Sequence, residues 1–162
     1  MIVVSDTSPV LNLARVRRLD LLPSLYHQVF IPPAVSTELG SRNSQTSQFI
    51  HAALGSWLLV ASPENHELVA KLRNNLDAGE AEAIVLAVER QASLLLLDER
   101  LGRRAARTFG LRITGLIGVL VDTKQARLID QVKPVLDELI AEAHFWIGTA
   151  LYQEILAKLD ET

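Results

Sequence analysis

The chain contains no cysteine among its 162 residues, and aromatic residues make up only 5% of it. The absence of cysteine excludes a disulfide scaffold and zinc sites held by thiolates. No apolar run approaches the ~18 uninterrupted residues that a membrane-spanning helix needs, and no basic segment followed by an apolar stretch marks a secretory signal. The net charge of −3 means that any nucleic-acid role requires a local basic patch. We therefore expect a soluble, cytoplasmic protein.

What the chain does contain is short apolar segments separated by helical patterns. Strands are predicted at residues 2–4, 29–31, 57–60, 94–97 and 112–113. Strands that alternate with helices predict a parallel sheet with helices on both faces, in a single α/β domain covering residues 1–162. Helices at about residues 130–160 are expected to pack on this domain or to form an interface.

The first strand ends in an acid, Asp6, just ahead of a predicted helix. Ser8 has the character of an N-cap and Pro9 that of the first helical residue. Asp6 would then lie at the carboxyl end of a strand, which is where ligands bind in open α/β sheets. The alternative is that Asp6 only helps to cap the helix.

A second acid, Asp98, follows the predicted strand at 94–97. If the two strands are neighbours, Asp6 and Asp98 lie on one edge of the sheet. Asp98 has its own structural alternative, as the N-cap of a helix at 99–109 that Gly110 ends.

Two glutamates are further candidates for this edge. Glu80 lies three residues after Asp77, the spacing of a capping box, while Glu82 lies elsewhere on the helix circumference. Glu38 falls near the end of a helix at 34–39, where the macrodipole disfavours an acid. A solvated surface position is the alternative for Glu38.

Four acids in one pocket would repel one another, which raises their pKa values and destabilises the fold. A divalent cation removes that conflict, and all-oxygen ligation points to Mg²⁺ or Mn²⁺ rather than zinc. Such a site activates water and supports an in-line displacement at phosphorus. The candidate metal ligands are Asp6, Glu80 and Asp98.

A basic stripe follows Asp98. Four arginines recur at helical spacing and form one face of the predicted helix; they are Arg100, Arg103, Arg104 and Arg107. They are candidates for tracking a phosphate backbone, with Ser8 beside them and further arginines as neighbours: Arg15, Arg17, Arg18 and Arg42. The alternative is a solvated face, in which one member, Arg104, pairs with a site carboxylate.

The remaining polar and aromatic residues show no site spacing. The tryptophans and tyrosines are too scattered for a base-stacking platform, and core or interface packing is expected for Trp57, Trp146, Tyr26 and Tyr152. Gly115 and Gly118 are attributed to close helix packing. Thr114 is expected to cap the following helix and to face the pocket.

The pattern resembles the PIN domain superfamily, and more closely a PIN-like group of small prokaryotic proteins long known as a domain of unknown function. The matching stretches occur in the right order through most of the chain: residues 4–11 (VSDTSPVL), 31–39 (IPPAVSTEL), 79–87 (GEAEAIVLA), 95–100 (LLLDER) and 115–120 (GLIGVL).

This resemblance implies a three-layer α/β/α sandwich with a short-stranded parallel sheet and Mg²⁺ or Mn²⁺ at one edge. It implies hydrolysis of single-stranded RNA, often by a toxin that pairs with an antitoxin, and homodimers are common. The four family acids fall on Asp6, Glu38, Glu80 and Asp98. Where the third acid is commonly aspartate, this chain has Glu80 with Glu82 as an alternate, and Glu99 is an alternate for Asp98.

Two other functions fit parts of the pattern. A catalytically degenerate module of the same fold would bind RNA or a protein partner without cutting. A phosphatase or phosphoacceptor domain would need a second acid close to Asp6, but Ser8 occupies that position in the phosphatase pattern. The nuclease is the prediction that uses all four acids.

Overall fold

The computed structural model describes residues 1–40 and 45–162. Arg42 therefore lies outside the described residues, as do residues 41–44 of the polar segment at 41–47 that is predicted as a loop or a frayed helix start. The sheet has five parallel strands in the order β3-β2-β1-β4-β5. This confirms the predicted α/β fold with a parallel sheet. The strands are β1 (Val3–Ser5), β2 (Val29–Ile31), β3 (Leu58–Val60), β4 (Leu94–Leu96) and β5 (Ile113–Thr114).

Helices connect and cover the strands. In chain order they are α1 (Thr7–Arg15), α2 (Leu21–Tyr26), α3 (Pro33–Gly40), α4 (Gln45–Ala53), α5 (His66–Leu72), α6 (Ala78–Glu89), α7 (Arg100–Thr108), α8 (Leu116–Gln125), α9 (Lys133–Glu142) and α10 (Thr149–Lys158).

The alternation of side chains along the short strands builds a core on each face of the sheet. Val3 and Leu96 face one core, which α1, α2, α3, α4, α8 and α9 cover. Val4 and Leu95 face the other, which α6 and α7 cover. The result is a three-layer sandwich whose strands are apolar on both sides, as expected for a parallel sheet.

The C-terminal helices pack on the first of these cores. Leu136 and Leu139 of α9 are buried there, and Leu156 of α10 is buried as well. No helix in the described ranges is long and apolar enough to cross a membrane.

The start of α1 differs from the prediction, because Asp6 rather than Ser8 is the N-cap. The backbone N–H of Asp6 donates to the Leu96 carbonyl (2.9 Å), so the sheet ladder continues to Asp6 and the chain enters the helix at Thr7. Pro9 is then the third helical residue, where its missing N–H still costs no intrahelical bond.

The start of α7 also differs, since Glu99 is its N-cap and Asp98 is not. Its end agrees with the prediction: Gly110 has φ 71°, the left-handed conformation that glycine adopts after a helix. Gly40, predicted to follow α3, is instead its last residue. Residues 45–47, predicted as loop or frayed helix, begin α4.

Candidate functional site

The carboxyl ends of the central strands open into a cleft of about 650 Å³. Asp6 directly follows β1 and Asp98 follows β4, and these two strands are paired, with Ser5 opposite Leu96. The topology therefore brings both aspartates to one place, as predicted. The predicted site residues that line the cleft are Asp6, Ser8, Glu38, Asp98, Glu99 and Arg100.

Asp6 is buried at the floor of this cleft, with 5% of its surface exposed. Although it occupies the N-cap position of α1, its side chain makes no capping hydrogen bond. Burial raises the pKa of Asp6 from 3.8 to about 7; the Thr7 backbone N–H opposes this, and the charges of Asp77, Glu80 and Glu38 add to it. The carboxylate is thus held in an environment that disfavours its charge unless a cation is present.

Glu38 reaches the cleft from α3 and is held by α1. The Thr7 hydroxyl donates a hydrogen bond of 2.8 Å to its Oε2. A Cβ atom on Gly79 would lie 3.3 Å from Asp6 Oδ1 and 3.4 Å from Glu38 Oε2, so both carboxylates close over the same glycine of α6. A larger residue at this position would push them apart.

Glu80 is buried beside this group, with 6% of its surface exposed. The predicted capping box is present: Asp77 Oδ1 accepts from the Glu80 N–H (2.8 Å), and Glu80 Oε2 accepts from the Asp77 N–H (3.1 Å). Burial raises the pKa of Glu80, and the charges of Asp77, Glu99 and Glu38 raise it further against the Asp77 hydrogen bond. A capping role and proximity to the other acids therefore coexist in one side chain.

Glu82 points elsewhere. Its Oε1 accepts a hydrogen bond of 3.4 Å from the backbone N–H of Ala34, at the start of α3. Because consecutive helical positions differ by about 100°, Glu82 is turned well away from Glu80 around the helix axis. Neither glutamate lines the cleft, but Glu80 lies close enough to Asp6 for its charge to raise the pKa of that acid, whereas Glu82 faces α3.

One carboxylate oxygen of Asp98 accepts a hydrogen bond, and the other has no hydrogen-bond partner in the described chain. Its Oδ1 accepts from the Leu116 N–H (2.9 Å) at the start of α8. Its Oδ2 is buried and has no hydrogen-bond partner among residues 1–40 and 45–162. Burial raises the pKa of Asp98, with Glu99 adding to the rise and the Leu116 N–H, Arg103 and, more weakly, Ser8 opposing it.

The Ser8 hydroxyl lies near Asp98 without reaching hydrogen-bond geometry. Its oxygen accepts from Asn12 Nδ2 at 3.1 Å, one turn along α1. This bond orients the hydroxyl and leaves its proton available to a group in the cleft. Ser8 therefore lines the cleft as a polar side chain. The prediction that Ser8 is the N-cap of α1 is wrong.

Neighbouring polar side chains leave no room for a Cβ atom at two glycines near the start of α8. A Cβ on Gly115 would lie 2.5 Å from Asp98 Oδ1 and 3.0 Å from an Arg103 nitrogen. A Cβ on Gly118 would overlap the Thr114 hydroxyl. Thr114 is therefore directed at α8, and Gly115 rather than Thr114 is the N-cap of that helix.

The arginine stripe of α7 divides between two surfaces. Arg100 lines the acidic cleft, and Arg103 lies near Asp98. Arg104 borders a separate cavity of about 510 Å³ beside α5, and Arg107 is exposed in the last turn. The predicted pairing of Arg104 with a site carboxylate is wrong, because Arg103 and Arg104 occupy opposite edges of the stripe.

Of the other arginines, Arg15 lines the acidic cleft. Arg18 instead pairs with Glu138 of α9 (3.3 Å), and Arg17 borders a mostly apolar cavity beside α4.

Two parts of the cleft wall are not predicted by the sequence. Asp77 is predicted only as a helix cap, yet it lines the cleft and its charge raises the pKa of Asp6 more than the charge of any other acid does. The signal was present in its position one turn before Glu80. The loop at 143–146 forms another wall, and its Trp146 is 85% exposed where core or interface packing was expected. No spacing rule connects that loop to the acids.

A protein-family model described as a PIN domain matches residues 2–161. The chain belongs to the PIN domain family. The family consists typically of metal-dependent nucleases, so the acidic cleft is where such chemistry is expected. No curated protein matches the chain significantly.

The cleft of this PIN domain suits a hard divalent cation. No three acidic or histidine side chains among the described residues are grouped closely enough to form a complete metal cage. Mg²⁺ does not require one, since it usually keeps several waters and binds through one or two carboxylates. Asp6 and the unpartnered Oδ2 of Asp98 provide oxygen donors on this cleft.

Proposed function

We propose that this PIN domain is a Mg²⁺- or Mn²⁺-dependent endoribonuclease that cleaves phosphodiester bonds in single-stranded RNA. The observation that carries the proposal is that buried Asp6 and half-buried Asp98 meet at one cleft, where the buried Oδ2 of Asp98 has no hydrogen-bond partner in the described residues. A buried anion without compensation is costly, and a bound cation is the physical remedy. Arg15 and Arg100 on the same cleft supply positive charge for phosphate.

In the proposed site, Asp6 and Asp98 bind the cation directly, and Glu80 binds it through a coordinated water. When bound, the cation supplies a water of lowered pKa and stabilises charge on the phosphoryl oxygens. Glu38, oriented by Thr7, accepts the proton of the attacking water. Arg100 and Ser8 orient the phosphate, and exposed Arg107 continues the basic surface along α7.

The arginine near Asp98 has a different proposed role. Arg103 lies near both Asp98 and the N-terminus of α8. Its charge favours the ionised form of Asp98, which is the form that binds a cation. We therefore assign Arg103 to positioning Asp98 and assign no role to Arg104, which faces a different cavity.

The test is cleavage of a labelled single-stranded RNA in Mn²⁺, Mg²⁺ or EDTA. We expect cleavage in either metal and none in EDTA. Asp6→Asn and Glu80→Gln should each reduce the rate by about a hundredfold or more, since losing a catalytic acid typically costs 10²–10⁴-fold. Glu82→Gln is the matched control, because it changes the same residue type on the same helix but contacts α3.

Unchanged cleavage in Asp6→Asn protein would contradict the assignment. So would equal losses in Glu80→Gln and Glu82→Gln, which would indicate damage to α6 rather than to the site. Circular dichroism of each variant, recorded at the assay temperature, establishes that the proteins compared are folded.

The absence of a complete metal cage in the described residues favours one competing function, a degenerate module that binds RNA without cutting. Calorimetric titration with Mn²⁺ separates the two. The nuclease should bind the ion in the parent and lose that binding in Asp6→Asn, whereas a degenerate module should give no heat that depends on Asp6.

The biological setting that we propose follows from the family resemblance. It is a cytoplasmic toxin-type nuclease that forms a homodimer and pairs with a cognate antitoxin protein. Light scattering of the purified protein measures the dimer, and suppression of growth arrest by a co-expressed neighbouring gene product measures the pairing.

A further inference from the structure

Trp146 is 85% exposed, more than any other large hydrophobic residue in the described part of the chain. It lies on the wall of the acidic cleft, on the loop between α9 and α10, together with His144. An indole left in water on a cleft wall is an amphipathic surface with an unused π-face.

The backbone holds Trp146 in this position. His144 has φ 55°, which ends α9, and the Phe145 N–H donates to the Leu139 carbonyl (3.0 Å). Phe145 and Ile147 are both half-buried against the first core. These two neighbours are anchored on either side of Trp146, whose own side chain stays exposed on the cleft wall.

We propose that Trp146 is a base-stacking residue that binds a nucleobase of single-stranded RNA beside the scissile phosphate. This inference rests on the proposed function, since it gives the nuclease cleft a second recognition element. The acids form one part of the cleft, Arg15 and Arg100 offer positive charge to phosphates, and Trp146 offers a flat apolar face. These three elements are what a single strand requires, namely backbone neutralisation together with aromatic stacking.

The choice of a single strand follows from the same chemistry. In a duplex the base faces are covered by neighbouring base pairs, so an aromatic side chain finds no face to stack upon. In a single strand each base has an accessible π-face whatever its identity. Trp146 should therefore increase affinity for unpaired RNA with little sequence preference and contribute nothing to duplex binding.

The experiment measures binding in the Asp6→Asn background, so that RNA stays intact under the proposed chemistry. Fluorescence anisotropy with Mg²⁺ present compares four proteins: the background itself and the background with Trp146→Ala, Trp146→Phe or Phe109→Ala. Phe109 is the matched control, an aromatic that is 38% exposed and does not line the cleft. The probes are a short labelled single-stranded RNA, the same strand with abasic sites, and the corresponding duplex.

We expect Trp146→Ala to weaken binding of the single strand about tenfold, while Trp146→Phe retains most of the affinity and Phe109→Ala retains all of it. On the abasic strand the Trp146→Ala effect should disappear, because only the phosphates remain to be bound. RNA should also quench tryptophan fluorescence in the background protein and not in Trp146→Phe, since the other tryptophan, Trp57, lies in the first core and borders a different cavity.

An equal affinity of the Trp146→Ala and background proteins for the single strand overturns the inference, as does an equal loss on the abasic strand. A change of oligomeric state in Trp146→Ala without a change in RNA affinity also overturns it, and assigns the indole to a protein contact. Because binding and cleavage are measured separately, Trp146-dependent binding without cleavage would reject the nuclease and keep the stacking residue. Cleavage without Trp146-dependent binding would keep the nuclease and reject the stacking residue.

Discussion

The buried carboxylate of Glu161 and the group of carboxylates in the cleft have opposite electrostatic surroundings. Glu161 is 8% exposed and fully partnered: its oxygens accept from the Lys124 ammonium (2.8 Å), the Val132 N–H (3.0 Å) and the Lys133 N–H (2.8 Å). Asp98, in the cleft, keeps an oxygen with no partner in the described chain, and Asp6 beside it is surrounded by other acids.

The pKa values follow that difference. Burial by itself would raise the pKa of Glu161, but Lys124 and the two N–H groups outweigh it, and the pKa is lowered. Burial raises the pKa of Asp6 to about 7, and the neighbouring acids add to the rise. Glu161 has a cation and two backbone donors in direct contact, whereas Asp98 has no donor on its Oδ2 among the described residues and Asp6 faces other acids. This contrast supports the proposed binding of an external cation in the cleft.

The largest loss of stability is expected from Glu161→Gln. Replacing the carboxylate removes an ion pair and the charge from two backbone hydrogen bonds at the start of α9, at a cost of about 2–3 kcal/mol. Because the pKa of Glu161 is lowered in the folded state, this contribution is present at neutral pH and is lost as the pH falls below about 4.5. Urea unfolding of the parent and the variant at pH 7 and pH 4 measures the loss of stability and its dependence on pH.

Glu154→Gln is the control for that change, since Glu154 pairs with Lys158 on the surface (3.0 Å) and should matter by less than about 0.5 kcal/mol. RNA cleavage by Glu161→Gln protein should be unchanged at a temperature where it is folded. An equal loss of stability in Glu161→Gln and Glu154→Gln would show that the partners of Glu161 contribute no more than an exposed ion pair.

Asp6→Asn should act in the opposite direction on stability. In metal-free protein, removing the charge relieves burial and repulsion, and we expect the variant to be more stable than the parent above pH 7 by up to about 4 kcal/mol, since the pKa of Asp6 is raised from 3.8 to about 7. Since the pKa of Asp6 is raised in the folded state, the parent loses stability as the pH rises from about 4 to about 7, and the two proteins converge near pH 4.

Denaturant unfolding in EDTA across pH 4–8 gives that difference. Asp130→Asn, a change at an exposed aspartate, serves as the control and should show no such divergence. A parent that is more stable than Asp6→Asn at pH 8 without metal would show that the cleft acids are compensated after all.

The smallest expected effect is stabilisation by metal. Mg²⁺ or Mn²⁺ in excess should raise the free energy of unfolding of the parent at pH 7.5 by about 1–2 kcal/mol, because only the folded state brings the acids together. The increment should vanish in Asp98→Asn and persist in Glu161→Gln, whose baseline is lower. Differential scanning fluorimetry with and without EDTA measures it, and an equal increment in Asp98→Asn would place the ion elsewhere.

Much of the fold was predictable because its signals are local. The apolar segments ending at Asp6 and Asp98 are short strands with helices after them, and that alternation requires a parallel sheet. The capping box of Asp77 and Glu80 is a contact within one helical turn, so its spacing alone reveals it. Boundaries shifted where a tertiary hydrogen bond intervened, as at Asp6, whose N–H completes the sheet ladder.

By itself the sequence determined the class of fold, its family and the convergence of the strand-end aspartates, since parallel strands present their carboxyl ends at one edge. Only the tertiary structure turned Glu82 toward Ala34, separated Arg103 from Arg104, and brought Trp146 to the cleft. Helical spacing defines the angle between side chains, but not which neighbouring element each one meets. That choice depends on packing between segments far apart in the chain, which carries no local signal.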